Sequence, residues 1–89
     1  MTNPPTRWSF LIDAHAESDA LIRILTPFAV QAADLTDVAL SRANGGLRIR
    51  VDAEGLTRER AETLLHRLEG LAVVRRVGLG WQAAIQATG

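Results

Sequence analysis

Residues 35 to 52, LTDVALSRANGGLRIRVD, contain the pattern that decides the fold. The Asn-Gly-Gly at 44–46 is a strong hairpin signal, because asparagine and glycine tolerate the positive φ angles of tight turns. After this turn, Leu47, Ile49 and Val51 alternate with polar residues at the period of a strand. The stretch therefore predicts two antiparallel strands joined by a short turn.

A strand and a helix precede this hairpin. Residues 7 to 15 alternate between apolar and polar side chains, as in a strand that is buried on one face. From Leu21 onward the apolar residues recur at helical spacing. Ser18 is the residue type expected at the N-cap of this helix.

A second helix and a fourth strand follow the hairpin. Thr57 is a suitable N-cap for the helix, and Gly70 is expected to end it in the left-handed conformation. The fourth strand covers residues 71 to 81, LAVVRRVGLGW. Its register is uncertain, because Arg75 and Arg76 would point to opposite faces of a regular strand and one of them conflicts with burial.

This order of elements predicts an α+β fold, a ferredoxin-like βαββαβ sandwich with two helices on one face of a four-stranded antiparallel sheet. The first and third strands are central in this topology, and the second and fourth are edges. We assign the domain to residues 7 to 81. A flexible N-terminal arm at 1 to 6 precedes it, and a tail at 82 to 89 follows it.

The composition excludes several functional classes. Ten arginines balance ten acidic residues in a chain of 89, so no basic excess attracts nucleic acid or an anionic membrane. The absence of cysteine excludes disulfides and thiol catalysis. No apolar run approaches the length of a signal core or a membrane span. We therefore expect a single soluble, cytoplasmic domain.

No residue pattern indicates catalysis or a cofactor. Asp13, His15 and Glu17 would share one face of a continuous strand and could ligate a divalent ion. The strand should end near His15, however, so we expect three solvated polar residues and no metal. Arg48 and Arg50 line one face of the third strand, but sheet surfaces that bind RNA also need stacking aromatic residues, which are absent here.

The segment from Trp8 to Leu79 resembles the ACT domain, a regulatory module of amino-acid metabolism. The motifs that carry the resemblance are AESDAL after the first strand, ADL at the start of the second, and LAVVRRV near the end. The run SDALIRIL is similar to the short regulatory subunits of acetolactate synthase, which consist of one ACT domain with a brief tail. The resemblance implies a non-catalytic subunit of branched-chain amino-acid biosynthesis that binds and activates a thiamine-diphosphate-dependent catalytic chain.

The resemblance also implies ligand-binding positions, which fall on Ala16, Asp19, Ala20, Asp34 and Leu35. Amino-acid-binding members of the family have glycine where this chain has Asp19, and asparagine where it has Asp34. A ligand carboxylate ~4 Å from Asp19 would be repelled by up to ~4 kcal/mol at an effective dielectric near 20. The helix dipole returns only ~0.3–1 kcal/mol. We therefore predict that no free amino acid binds at the helix start.

Two surfaces are predicted to contact other chains. The second strand is an edge without proline or lysine, which favours a homodimer in which Val38 and Leu40 point inward and fix the register. Its predicted dimer contacts are Leu35, Thr36, Asp37, Val38, Ala39 and Leu40. For the catalytic partner we expect contacts from Arg48, Arg50, Trp81 and Ile85, because arginine and tryptophan are common interface anchors.

Two alternative functions remain open. One is a stand-alone ACT-type sensor that binds a small ligand, such as an amino acid, at its dimer interface. The other is a small metal-binding or RNA-binding protein of ferredoxin-like fold.

Overall fold

The computed structural model describes residues 6 to 83, and the side chains of residues 7 to 80. The elements in chain order are β1 (Thr6–His15), α1 (Ala20–Val30), β2 (Asp34–Ala43), β3 (Gly46–Glu54), α2 (Arg58–Glu69) and β4 (Val74–Ala83). This is the predicted βαββαβ order, and the predicted fold class is confirmed. The fourth strand continues two residues into the segment that was assigned to the tail. Neither helix is long and apolar enough to cross a membrane.

The four strands form one antiparallel sheet in the order β2-β3-β1-β4. The first and third strands are therefore central and the second and fourth are edges, as the topology predicted. Asn44 and Gly45 form the turn between β2 and β3 with φ angles of 53° and 74°. The backbone strain of this turn is the reason that asparagine and glycine occupy it.

The core lies between the two helices and one face of the sheet. Phe10 on β1 meets Phe28 on α1 edge to face, with ring centroids 5.0 Å apart and an interplanar angle of 87°. The indole N–H of Trp8 donates to the carbonyl oxygen of Leu56 at 3.0 Å, so this buried polar atom is satisfied. The other fully buried larger side chains are Ile12, Ile24, Ile49, Leu64, Leu68, Val51 and Val73.

The structure corrects the start of α1 and the conformation at Gly70, while it confirms that α2 begins after Thr57 and ends at Gly70. The hydroxyl of Thr57 accepts a hydrogen bond from the N–H of Arg60 at 3.1 Å, which confirms the cap of α2. The N-cap of α1 is Asp19 and not Ser18. Gly70 has φ −82° and ψ −5°, because the chain leaves α2 through a further right-handed turn in which Leu71 N–H donates to the carbonyl of Leu68.

The second strand is exposed along most of its length. Val38 opposes Val51 and Leu40 opposes Ile49, so both side chains lie on the helix side of the sheet, as predicted. They are nevertheless 38% and 46% exposed. In a single chain, the inward-facing residues of this edge strand are therefore left partly uncovered.

A β-bulge settles the register of the fourth strand. Arg76 opposes Asp13, but the next residue of β1, Ala14, opposes Val74, so Arg75 is an extra residue between the two pairs. A bulge redirects the side chains on either side of it. Both arginines are therefore exposed, and the predicted conflict with burial does not arise.

Candidate functional site

The five family ligand positions occupy opposite ends of the sheet. Ala16, Asp19 and Ala20 follow the His15 end of β1, whereas Asp34 and the residue after it pair at the far end of β3. The length of β3 separates these ends by about 25 Å, at ~3.3 Å per residue. One chain does not bring the five positions together.

The start of α1 is occupied by an ion pair within the helix. The Asp19 carboxylate lies 2.8 Å from the Nε of Arg23, and its side chain is 48% exposed. Ala20 is fully buried, and its N–H donates to the carbonyl of Glu17. Arg23 compensates part of the negative charge that was expected to repel a ligand carboxylate. The Asp19 side chain is still present at a position where glycine would have none.

The sheet face away from the helices, here called the open face, carries two charge networks. In the first, Asp13 on β1 accepts from Arg76 on β4 at 2.9 Å and from Arg48 on β3 at 3.2 Å. This carboxylate therefore joins three strands. Because arginines already bind both oxygens of Asp13, this carboxylate is not free to ligate a metal ion together with His15 and Glu17. Among the described side chains, those of residues 7 to 80, no group of three His, Cys, Asp or Glu is placed to hold a metal ion.

The second network lies further along the open face. Arg50 pairs with Asp37 on the neighbouring strand and lies 3.6 Å from Asp52 on its own strand. Ser9 donates to the same Asp52 carboxylate at 2.7 Å. These bonds link the three strands β2, β3 and β1, so the arginine is held in place without losing its exposure, which is 44%.

An uncovered leucine lies between the two networks. Leu11 is 55% exposed at the centre of the open face and opposes Gly78 on β4. Two shallow cavities of about 320 and 260 Å³ flank it, and Arg48 lines both of them. A Cβ added to Gly78 would meet no other atom within 4 Å, so this part of the sheet is open.

Two of the four predicted partner-binding residues lie on this surface. Arg48 and Arg50 are 52% and 44% exposed on the open face. Trp81 belongs to β4, where its backbone opposes Trp8, but its side chain lies outside the described part of the chain, as does Ile85. The sequence-based prediction missed Leu11, whose only sequence signal is an apolar residue on the polar face of β1.

The hydrogen bonds of Asp13 predict a pH-dependent contribution to stability. The hydrogen bond from Arg76, and then that from Arg48, lowers the pKa of Asp13 below its ordinary value of 3.8. A carboxyl group whose pKa is lower in the folded state stabilises the fold at pH values above its unfolded-state pKa. This stabilisation is lost as the pH falls through the folded-state pKa. We expect Asp13→Asn to lower the urea midpoint near neutral pH, and the difference from the parent protein to disappear well below pH 3.8.

The matched control for this pH experiment is Glu62→Gln, which removes a carboxylate from an exposed pair on α2. Its nearest cation, Arg58, is 3.8 Å away, so we expect little change in the midpoint at either pH. An Asp13→Asn effect of the same size at neutral and acidic pH would contradict the ionic explanation.

Comparison with known proteins identifies the class. A family model described as an ACT-like domain matches residues 2 to 86, and the chain belongs to this family. No match was found among curated proteins. Domains of this class are regulatory modules that bind small ligands and are generally non-catalytic.

Solved structures of low sequence identity share the fold. The ACT domain from GTP pyrophosphokinase of Chlorobium tepidum is 12% identical with a TM-score of 0.73, over 85% of this chain and 99% of that one. The C-terminal domain of the MgtC protein from Mycobacterium tuberculosis is 13% identical with a TM-score of 0.74, over 98% of each chain. A putative PII-like signaling protein from Thermus thermophilus is 23% identical with a TM-score of 0.58, also over 98% of each chain.

Proposed function

We propose that this chain is a non-catalytic regulatory subunit that binds and activates a separate catalytic chain through its open face. The observation that carries the proposal is the exposed Leu11, which is flanked by arginines that ion pairs hold in fixed positions. An apolar centre with a charged, ordered rim is the usual composition of a protein interface. Arg48 and Arg50 are each paired with a carboxylate on a neighbouring strand, which restricts their side chains and lowers the entropy cost of binding a partner.

The partner that we propose is an acetolactate-synthase-like enzyme that uses thiamine diphosphate in branched-chain amino-acid biosynthesis. The support is the similarity of SDALIRIL, at the start of α1, to the short regulatory subunits of that enzyme. In this role the chain acts by stabilising the active conformation of the catalytic chain through contacts that only this conformation provides. The proposed location of both chains is the cytoplasm.

The test uses purified catalytic chain and measures both its affinity for this protein and its activity. Leu11→Glu and Arg50→Glu are each expected to weaken binding by at least about tenfold, because they place a charge or reverse one in the contact area. The control is Arg58→Glu, a charge reversal on α2 at a position that is 82% exposed. The proposal fails if both open-face variants bind and activate as well as the control does.

Truncation after Leu79 is a less suitable test of the partner surface. Residues Gly80 to Ala83 pair with Ser9 to Thr6 in the sheet, so their removal deletes backbone hydrogen bonds as well as any partner contact. Single substitutions on the open face separate binding from folding more clearly.

The alternative function is a stand-alone sensor dimer, and one observation favours it. Leu35, Val38 and Leu40 on β2 are exposed, together with Ile22 on α1, which is 72% exposed. An apolar edge of this kind suits a second copy of the chain. An antiparallel pair of β2 strands would place the Asp34 end of one chain near the helix start of the other. A shared ligand site would then need both chains.

Calorimetric titration distinguishes the two functions. We expect no saturable heat when valine, leucine or isoleucine is added at millimolar concentration near neutral pH, because the Asp19 carboxylate stands at the helix start, where a ligand carboxylate would have to bind. The double variant Asp19→Gly with Asp34→Asn tests whether the two carboxylates alone prevent binding. Saturable binding of one amino acid to the parent protein would favour the sensor over the regulatory subunit.

A further inference from the structure

The bulge in β4 gathers positive charge at one end of the open face. Arg75 and Arg76 both line a cavity of about 330 Å³, together with Asp13, Ala43, Asn44 and Leu47. A regular strand would have sent these neighbouring arginines to opposite faces. The extra residue therefore creates a pair of guanidinium groups in a protein whose overall charge is zero.

The backbone at Gly46 gives Arg75 the room to lie across the sheet. The Nε of Arg75 donates to Nδ1 of His15 at 3.2 Å, so its side chain reaches from β4 over the end of β1. A Cβ at Gly46 would come within 3.1 Å of Nη1 of Arg75 and 2.5 Å of the carbonyl oxygen of Ala14. Glycine at the start of β3 thus permits the guanidinium group to approach the central strands closely.

The charge balance at this end of the sheet leaves an excess of positive charge. Arg76 and Arg48 share the single carboxylate of Asp13, whereas the hydrogen bond from Arg75 goes to a histidine nitrogen. Two of these guanidinium groups, those of Arg75 and Arg76, line the cavity together with the one carboxylate, and Arg48 pairs with that carboxylate from beside the cavity. Asp13 holds Arg76 and Arg48 in position, while N–H groups that these bonds do not use remain available to a ligand.

We propose that the cavity at the β4 bulge binds the phosphate group of a small soluble metabolite. Arginine presents its N–H groups in a planar fork that matches phosphate oxygens. A phosphate monoester carries close to two negative charges near neutral pH, and the excess of guanidinium groups over carboxylates in the cavity lining attracts it. Asn44, in the turn between β2 and β3, also lines the cavity, and its side-chain amide can donate hydrogen bonds. This site is separate from the start of α1, and it does not depend on the identity of the protein partner.

The test is a titration of the folded, isotope-labelled protein with sodium phosphate, followed by amide chemical shifts at constant ionic strength. We expect saturable shifts at residues 43 to 47 and 75 to 77. Arg75→Ala is expected to weaken binding by about tenfold or more, the loss associated with one charge-assisted hydrogen bond. The control is Arg58→Ala, which removes the same charge from α2 and should leave the affinity unchanged.

A second variant tests the role of the planar guanidinium group, and a second anion tests the preference for phosphate. Arg75→Lys retains the charge but loses the planar fork, so we expect it to bind phosphate more weakly than the parent protein while remaining folded. Succinate, a dicarboxylate of similar charge, is expected to bind more weakly than phosphate. The proposal is overturned if the shifts do not saturate, if succinate binds more tightly, or if Arg75→Lys and Arg75→Ala both retain the parent affinity.

Discussion

Phe28→Ala is expected to lower the free energy of unfolding by about 3–5 kcal/mol. The ring is fully buried and meets Phe10 edge to face, so the substitution leaves a cavity between α1 and the central strand β1. Domains have only about 5–15 kcal/mol of stability in total, and a chain of this size lies towards the lower end. We therefore expect a large part of the population to be unfolded at moderate temperature.

Urea unfolding followed by circular dichroism measures this effect. Val30→Ala is the matched control, because it shortens an apolar side chain on the same helix at a position that is 66% exposed. We expect the control to change the stability by no more than about 0.5 kcal/mol. A loss below ~1 kcal/mol for Phe28→Ala would mean that α1 does not pack on the sheet as described.

The chain is expected to form a homodimer along β2. This strand is an edge with all residues from 34 to 42 exposed, and it contains neither proline nor lysine to block pairing. Two copies that join β2 to β2 would form one continuous eight-stranded sheet with a twofold axis. The second copy would then cover the side chains of Leu35, Val38 and Leu40, which are exposed in a single chain.

Light scattering is expected to report twice the 9.7 kDa mass of a single chain at micromolar concentration. The double variant Val38→Glu with Leu40→Glu places like charges on both sides of the twofold axis and should weaken the dimer by more than about 100-fold. Ala39→Pro, which removes a strand hydrogen bond donor, should weaken it as well.

Leu11→Glu is the control for the dimer experiment, because it replaces an exposed apolar residue with glutamate on a central strand away from the edge. It should leave the mass unchanged. A parent protein that scatters as a monomer would rule out the dimer, and a Val38→Glu, Leu40→Glu variant that stays dimeric would rule out β2 as its interface.

The order of elements was predictable because each depends on local sequence. The alternation around Phe10, the turn at Asn44 and the cap at Thr57 each involve residues that are close in the chain, and the structure confirms all three. The error at Ser18 has a local cause as well. Ser and Asp are both common N-cap residue types, and the pattern of apolar residues does not decide between neighbours. The Asp19 carboxylate in fact makes no capping hydrogen bond and pairs with Arg23.

The positions of side chains in space were less predictable. The exposure of Leu40 depends on how far the helices extend over the sheet, and the direction of Arg75 depends on a register shift between β1 and β4. Both are set by contacts between residues that are distant in the chain. The arginine pair at 75 and 76 was visible as an irregularity in an alternating strand, and this irregularity marks the cavity to which we assign phosphate binding.

The place of β1 at the centre of the sheet has a consequence for the time course of synthesis. Trp8 opposes Ala53 on one side and Trp81 on the other, so the first strand made must wait for partners 45 and 73 positions later. At roughly 5–20 residues per second, the second of these waits lasts about 4–15 s on the ribosome. During this interval the apolar face of β1 lacks its final neighbours. The hairpin of β2 and β3 is the part of the sheet that can form first, because its contacts are local in the chain.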